Sequence, residues 1–262
     1  MSNIGSYTDI SVDLLGHIAS VEICRPPHNF FDHSLIQQLA DCVELLDTIN
    51  ECRVVVLTAQ GRSFCAGAQF TTDTKGEAKY AMDSPAPLYV EAVRLFQGKK
   101  PIIAAIQGAA VGGGLGLSLV ADFRIACPEA RFAANFTKLG FHPGFGLTYT
   151  LPLLVGQSNA AMMFYTSRRI KGEDALQMGL VDRLVPQDHL RDSAMELAAE
   201  ISQCSPLGLL ATRATVRGNI ADKVRAATDL ELKEQIRLRQ TEDFAEGVKA
   251  VSERRIANFL GR

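Results

Sequence analysis

Apolar and polar positions change period several times along the first half of the chain. Residues 10–15 and 17–23, joined by a turn at Gly16, alternate in the manner of a β-hairpin, with Ile18, Val21 and Ile23 apolar on the second run. Arg25-Pro26-Pro27 ends that run. From Ser34 onward Leu35, Leu39, Cys42, Val43 and Leu46 recur at helical spacing up to Asn50. Residues 54–58 then form a β-branched apolar run without alternation, the pattern of a strand buried on both faces. A polar, glycine-bearing loop is expected over 59–84. Beyond it the same rhythm predicts a helix at 88–97, a strand at 102–107, a glycine turn, a helix at 115–121 and a strand at 123–127. Strand, helix, strand order implies right-handed crossovers and a mostly parallel sheet covered by helices on both faces, an α/β fold.

After Gly140 the period becomes helical. Helices are predicted at 149–155, 159–166, 174–178, 190–203, 207–217 and 221–239, with one short strand near 181–185. A last helical segment, 242–260, carries Phe244, Val248, Val251 and Phe259 on a loosely apolar side and Lys249, Arg254, Arg255 and Arg262 as added positive charge. No repeat or low-complexity tract interrupts the chain. The expected organisation is a core over 1–195 and a C-terminal helical region over 196–262.

Composition narrows the function classes. The 262 residues carry 27 Lys+Arg against 29 Asp+Glu, a net charge of −2, which argues against a nucleic-acid coat or a polybasic membrane anchor. With 47% hydrophobic and 21% charged residues the chain is globular, not disordered. Residues 101–121 are uncharged and as long as the roughly 20 residues that span a bilayer. Gln107 and the glycines at 108, 112, 113, 114 and 116 break them into a buried strand, a turn and a helix instead. Six cysteines show no CxxC pair, and five histidines show no HExxH spacing, so a reducing cytoplasm and no metal site are expected. The N-terminal residues resemble neither a signal nor a transit peptide. Gly112-x-Gly114-x-Gly116 does not fit G-x-G-x-x-G, and no phosphate loop occurs, so no nucleotide prosthetic group is expected. The absence of a G-x-S-x-G elbow, with Ser118 inside an apolar helix, weighs against a serine peptidase.

Two small-residue clusters each follow a predicted buried strand: residues 61–70 (GRSFCAGAQF) and 108–116 (GAAVGGGLG). The ends of parallel strands line ligand crevices in such sheets, and glycines there let a ligand approach backbone N–H groups. Either cluster alone is explained equally well by close helix packing. Together, SFCAGAQF and IQGAAVGGGLGLSLVADFRIA resemble the crotonase family, the enoyl-CoA hydratase/isomerase family. Phe132, Leu139-Gly140 through Pro143-Gly144, Thr166-x-Arg168, Ala175 with Gly179-Leu180-Val181, and FAEGVKAVSERR extend the likeness over most of the chain.

That resemblance implies a crotonase-like ββα spiral core with a C-terminal helical region. It implies a coenzyme A thioester as substrate, and an oxyanion hole formed by the backbone N–H groups of Ala68 and Gly113. It places Ala66 and Arg25 along the coenzyme, Arg254 at its 3′-phosphate, and Asp122 in a structural role. It implies a homotrimer or a dimer of trimers. The two glutamates that serve the family's hydratases as acid and base fall on Gly116 and Phe136, and a third acidic position of some dienoyl isomerases falls on Gly144. Hydration needs a base to activate water and an acid to protonate carbon, so isomerisation, decarboxylation or C–C cleavage is expected in its place. A catalytically degenerate acyl-CoA-binding subunit fits the same pattern. His142 is the candidate proton carrier, since it titrates near neutral pH in a loop matched to the acyl pocket; a hydrogen-bonded loop histidine is the plainer alternative. Cys65, without a basic neighbour in sequence, reads as packing. His28 and His33 edge the coenzyme channel through resemblance only.

Overall fold

The computed structural model describes residues 2–72, 78–80 and 86–262. The N-terminal alternation folds as antiparallel strands β1 (Ser2–Asn3), β2 (Ile10–Leu15) and β3 (Ile18–Ile23). Helix α1 (His33–Thr48) starts where the Asp32 carboxylate accepts from the Leu35 N–H at 3.0 Å, and it buries Leu35, Leu39, Cys42, Val43 and Leu46 at the predicted spacing. It crosses over to β4 (Val54–Ala59), which pairs parallel to β3. The stretch expected to be loop holds an antiparallel pair, β5 (Phe70–Thr72) with β6 (Ala78–Tyr80).

Next come α2 (Ala86–Gln97), β7 (Ile102–Ile106), β8 (Ala109–Val111), α3 (Gly113–Ser118), β9 (Phe123–Ala126), β10 (Arg131–Ala133) and α4 (Leu147–Thr166). They are followed by β11 (Ile170–Lys171), α5 (Gly172–Gln177), β12 (Arg183–Leu184) and α6 (Leu190–Ser202). The main sheet has the order β1-β2-β3-β4-β7-β9-β12, parallel from β3 onward. Its unbroken apolar strands follow from burial on both faces. Val55, Leu57, Ala104 and Ile106 share a core with α1 and α2, while Val54, Val56, Ile103 and Ala105 pack against Leu190, Ala194 and Ala198 of α6. The division expected at 195/196 therefore falls inside α6, a continuous helix that belongs to the sheet.

The glycine turn of the prediction contains β8, which pairs parallel to β10 in a second sheet of order β11-β10-β8. Three residues between Gly108 and Gly112 leave too short an apolar run to read as a strand. Helix α4 is broken at Gly156 (φ 75, ψ 162), matching the two helices predicted there.

Three helices complete the chain: α7 (Pro206–Arg217), α8 (Ile220–Leu238) and α9 (Glu242–Ser252). Arg213 and Arg217 of α7 form ion pairs with Asp122 at 3.0 and 2.9 Å, and Asp122 also accepts from the Ile102 N–H at 2.8 Å. Helix α8 packs against α2 and α4. The segment predicted to continue as helix to residue 260 instead turns back along α9. Asn258 N–H donates to Glu246 at 2.7 Å, and the N–H groups of Leu260 and Gly261 donate to Asp243 at 2.6 and 2.9 Å. Among the described residues no helix is long and apolar enough to cross a membrane.

Candidate active site

The two small-residue clusters are strapped together by main-chain hydrogen bonds. Cys65 N–H donates to Ala109 O at 2.9 Å, and Val111 N–H donates to Cys65 O at 3.0 Å. The backbones approach so closely that side chains are excluded: a β-carbon on Gly67, where φ is +87°, would lie 2.7 Å from Val111 O, and one on Gly114 would collide with the Cys65 carbonyl. Ala66 N–H is taken by His28 O at 2.9 Å, and Gly67 O accepts from Phe31 N–H at 3.0 Å. The N–H groups of Ala68 and Gly113 have no acceptor among the described residues. Gly113 opens α3, where main-chain donors lack an intrahelical partner. Both residues line one cavity of about 60 Å³.

Among the described residues the rest of the lining is largely aromatic and carries no charged side chain. Phe31 and Phe145 have ring centroids 6.0 Å apart, and Phe136 meets Phe141 edge to face at 5.5 Å. All four line the cavity. A β-carbon on Gly116 would sit 2.8 Å from Phe145 Cβ, so the phenylalanine occupies the space that a side chain at 116 would need. A side chain at Gly144 would meet the Tyr89 hydroxyl and Gln235. Tyr89 O–H donates to Gln235 Oε1 at 2.9 Å, and Gln235 Nε2 donates to His142 O at 2.8 Å. Asn135 is half-buried, and its carboxamide has no hydrogen-bond partner among the described residues. A β-carbon built on Gly112 would lie 3.3 Å from Asn135 Oδ1, which sets this amide beside the segment that presents Gly113. Among the described lining residues none is a carboxylate, histidine, lysine or arginine.

The loop that closes the cavity is anchored from α8. Glu231, fully buried, accepts from Gly146 N–H at 2.7 Å, from Thr148 N–H at 2.9 Å and from the Thr148 hydroxyl at 2.7 Å. It does so at the N-terminus of α4, whose first donors would otherwise be buried unpaired.

A family model described as enoyl-CoA hydratase/isomerase matches residues 15–262. The chain belongs to that family. Among its relatives, carnitinyl-CoA dehydratase from Citrobacter koseri is 33% identical over 252 residues, covering 94% of this chain and 96% of that protein. Crystal structures of an enoyl-CoA hydratase from Mycobacterium avium subsp. paratuberculosis and of an enoyl-CoA hydratase/isomerase from Pseudoalteromonas atlantica are similar over 97% of this chain and 100% of theirs. Each has a TM-score of 0.84, at 26% and 28% identity respectively. The crotonase fold expected from the glycine clusters is thereby shown.

Within this enoyl-CoA hydratase/isomerase frame, the expected site residues separate into two groups. Ala66, Ala68 and Gly113 come together in the cavity. His142, Arg25 and Arg254 are not among its lining residues. The His142 carbonyl accepts from Gln235 Nε2 at 2.8 Å, and its Nδ1 lies 2.9 Å from Pro143 O, the hydrogen-bonded arrangement of the plainer alternative. Arg25 is held by Asp9 at 2.6 Å and Asp32 at 2.9 Å, which fastens the end of β3 to the start of α1. Arg254 lies beyond α9 with φ at +56°, exposed to solvent. The Cys65 thiol is fully buried, and burial pushes its pKa up to about 12, so it packs and does not attack. His28 stands 3.3 Å from the Arg62 guanidinium, and His33 lies 3.8 Å from Glu91.

Sequence reasoning missed Asn135, Tyr89 and Gln235. Asn135 adjoins Phe136, the position searched for an acid. Tyr89 reads as one more apolar residue of an amphipathic helix, and its partner Gln235 is 146 residues away.

Proposed function

We propose that this member of the enoyl-CoA hydratase/isomerase family binds a coenzyme A thioester, polarises its carbonyl through the Ala68 and Gly113 N–H groups, and forms the thioester enolate by breaking a carbon–carbon bond. The observation that carries this reading is the pairing of two main-chain donors that have no acceptor among the described residues with a cavity whose described lining residues are uncharged. Hydration and double-bond isomerisation both begin or end with proton transfer by a positioned base, and the described lining residues supply none. Cleavage of a bond at the α-carbon leaves its electron pair there, where it spreads onto the thioester oxygen. The step therefore asks only for oxyanion stabilisation and a later proton. Loss of one such donor in other enzymes costs about 2.7–4 kcal/mol of transition-state energy. Aromatic walls exclude water and strengthen these donors.

Arg254, exposed and without an ion-pair partner among the described residues, is the cation offered to the coenzyme phosphates in this reading. A homotrimer or dimer of trimers would cover Leu153, Met162 and Tyr165, which α4 leaves exposed. A cytoplasmic setting, where acyl-CoA metabolites occur, completes the reading.

Turnover of an acyl-CoA panel by the purified chain tests it. Hydration of a short 2-enoyl-CoA should fall short of a two-carboxylate hydratase by about 10²–10⁴-fold per missing group, while a thioester with a cleavable α-substituent is consumed. Brisk hydration would overturn the reading. Binding of thioesters without consumption of any would identify the second possibility, an acyl-CoA-binding subunit with an emptied active site.

A further inference from the structure

The end of the main sheet remote from Ala68 and Gly113 holds an uneven set of charges. Strand β7 leads at its C-terminal end to the turn that presents Gly113, and at its start Ile102 N–H donates to Asp122 at 2.8 Å. The same carboxylate takes Arg213 Nε at 3.0 Å and Arg217 Nη1 at 2.9 Å. Two guanidinium groups thus share one carboxylate, with side chains 9% and 12% exposed. Arg213 Nη1 also donates to Gly98 O, and Arg217 Nη1 to Val120 O. Arg213 Nη2 and the buried Nε and Nη2 of Arg217 have no partner among the described residues. Other carboxylates nearby are engaged: Asp182 pairs with Arg124 at 3.0 Å, and Asp47 accepts from the N–H groups of Lys99 and Lys100. Burial pulls the Arg213 pKa below the usual arginine value, and the Arg217 charge adds to the pull. A buried charge without its counter-ion is costly.

Arg213, Arg217 and Lys99 line a cavity of about 500 Å³ between the C-terminal end of α2, helix α7 and the start of α8. Helix α8 brings its first main-chain donors there, and the Asn219 side chain at its N-cap makes no capping hydrogen bond to them. The positive end of the helix dipole adds to the arginine charge. Asp222, exposed in the first turn of α8, is the acid among the described lining residues. Phe96, Leu210 and Ile220 give the cavity an apolar side.

We infer that this cavity is a binding site for a phosphate monoester with a compact uncharged body, its phosphate held by Arg213, Lys99 and the start of α8. The phosphate supplies the negative charge that two guanidinium groups on one carboxylate lack, and a guanidinium fork matches its oxygens. The body of the ligand rests on Phe96, Leu210 and Ile220. The volume lies within the roughly 300–1,000 Å³ of small-molecule sites. At the far end of β7 from the Gly113 turn, the ligand neither reacts there nor competes with a thioester.

Calorimetric titration of the assembled protein with inorganic phosphate and with phenyl phosphate, at one ionic strength set by chloride, tests the site. Phenyl phosphate should bind about tenfold more tightly, through burial of its ring. Ala214 lies on the cavity wall, three residues before Arg217. Ala214→Glu therefore builds a carboxylate into the site. It should weaken both probes about 10–100-fold, the range of a hydrogen bond to a charge, and raise the melting temperature of the unliganded protein. Ala214→Gln, of the same size without the charge, should hold both affinities within about threefold. Asp222→Asn, which removes the acid, should tighten both probes about two- to fivefold. Propionyl-CoA should displace neither probe. The site is overturned if neither probe binds at millimolar concentration, if Ala214→Gln weakens binding as much as Ala214→Glu, if Asp222→Asn leaves both affinities unchanged, or if propionyl-CoA competes.

Discussion

In the proposed site around Ala68 and Gly113 the groups available to a ligand belong to the main chain, and at positions 116, 136 and 144, which the family resemblance matches to acids and bases, they would be side chains. The first side is held in place by two backbones that touch, with glycines wherever a β-carbon would intrude. The second side has two glycines and a phenylalanine, and neighbouring residues have moved into the space: Phe145 over Gly116, and Tyr89 with Gln235 over Gly144. Main-chain chemistry can be lost only by displacing two segments of the fold. Side-chain chemistry can be erased one residue at a time while the frame survives. A family that shares the frame can therefore diverge in reaction.

Substitutions on the two sides should differ accordingly. The largest effect belongs to Gly114→Ala, whose methyl group would strike the Cys65 carbonyl and push the two clusters apart. Turnover of any substrate identified for the protein should fall about 10²–10³-fold, the loss seen when an oxyanion donor is removed, with a lowered melting temperature. Wild-type turnover in this variant would show that the two backbones yield more than their spacing implies.

An intermediate effect is expected from Gly116→Glu. Its β-carbon would stand 2.8 Å from Phe145 Cβ, an overpacking worth about 1–3 kcal/mol. Thermal melts should show the loss, and Phe145→Ala in the same chain should recover part of it by vacating the space. A double variant that melts below both single ones would mean that Phe145 does more than fill the site.

The smallest effect belongs to His142→Ala. Because the imidazole folds onto Pro143 O at 2.9 Å, outside the cavity lining, turnover should stay within about twofold, as for surface changes of up to 0.5 kcal/mol. A tenfold loss would return the imidazole to the reaction.

What the sequence reveals follows the same division. Strands β4 and β7 and helix α1 are legible because their periods reflect burial on a sheet, and the glycine clusters are legible because close backbone contact leaves little choice of residue. Strand β8 is hidden by its length, three residues between two glycines, and its pairing with β10 is a non-local fact. Tyr89 and Gln235 are hidden because helical periodicity reports which face is buried and not what that face touches. The direction of the His142 ring is hidden for a related reason: Pro143 restrains the backbone, but the sequence does not show that Nδ1 comes within 2.9 Å of Pro143 O. The C-terminal segment reads as helix to residue 260 because its apolar spacing continues, whereas Glu246 and Asp243 capture the main chain of the tail and reverse it.

The Glu231 anchor gives the molecule a history as well as a shape. Gly146 N–H is satisfied by a carboxylate 85 residues later in the chain. During synthesis at about 5–20 residues per second, the loop over the cavity therefore waits about 4–17 s for the residue that fastens it. Until then the loop lacks the carboxylate that pairs with its main-chain donors at Gly146 and Thr148, so this wall of the cavity is among the last parts of the molecule to be secured.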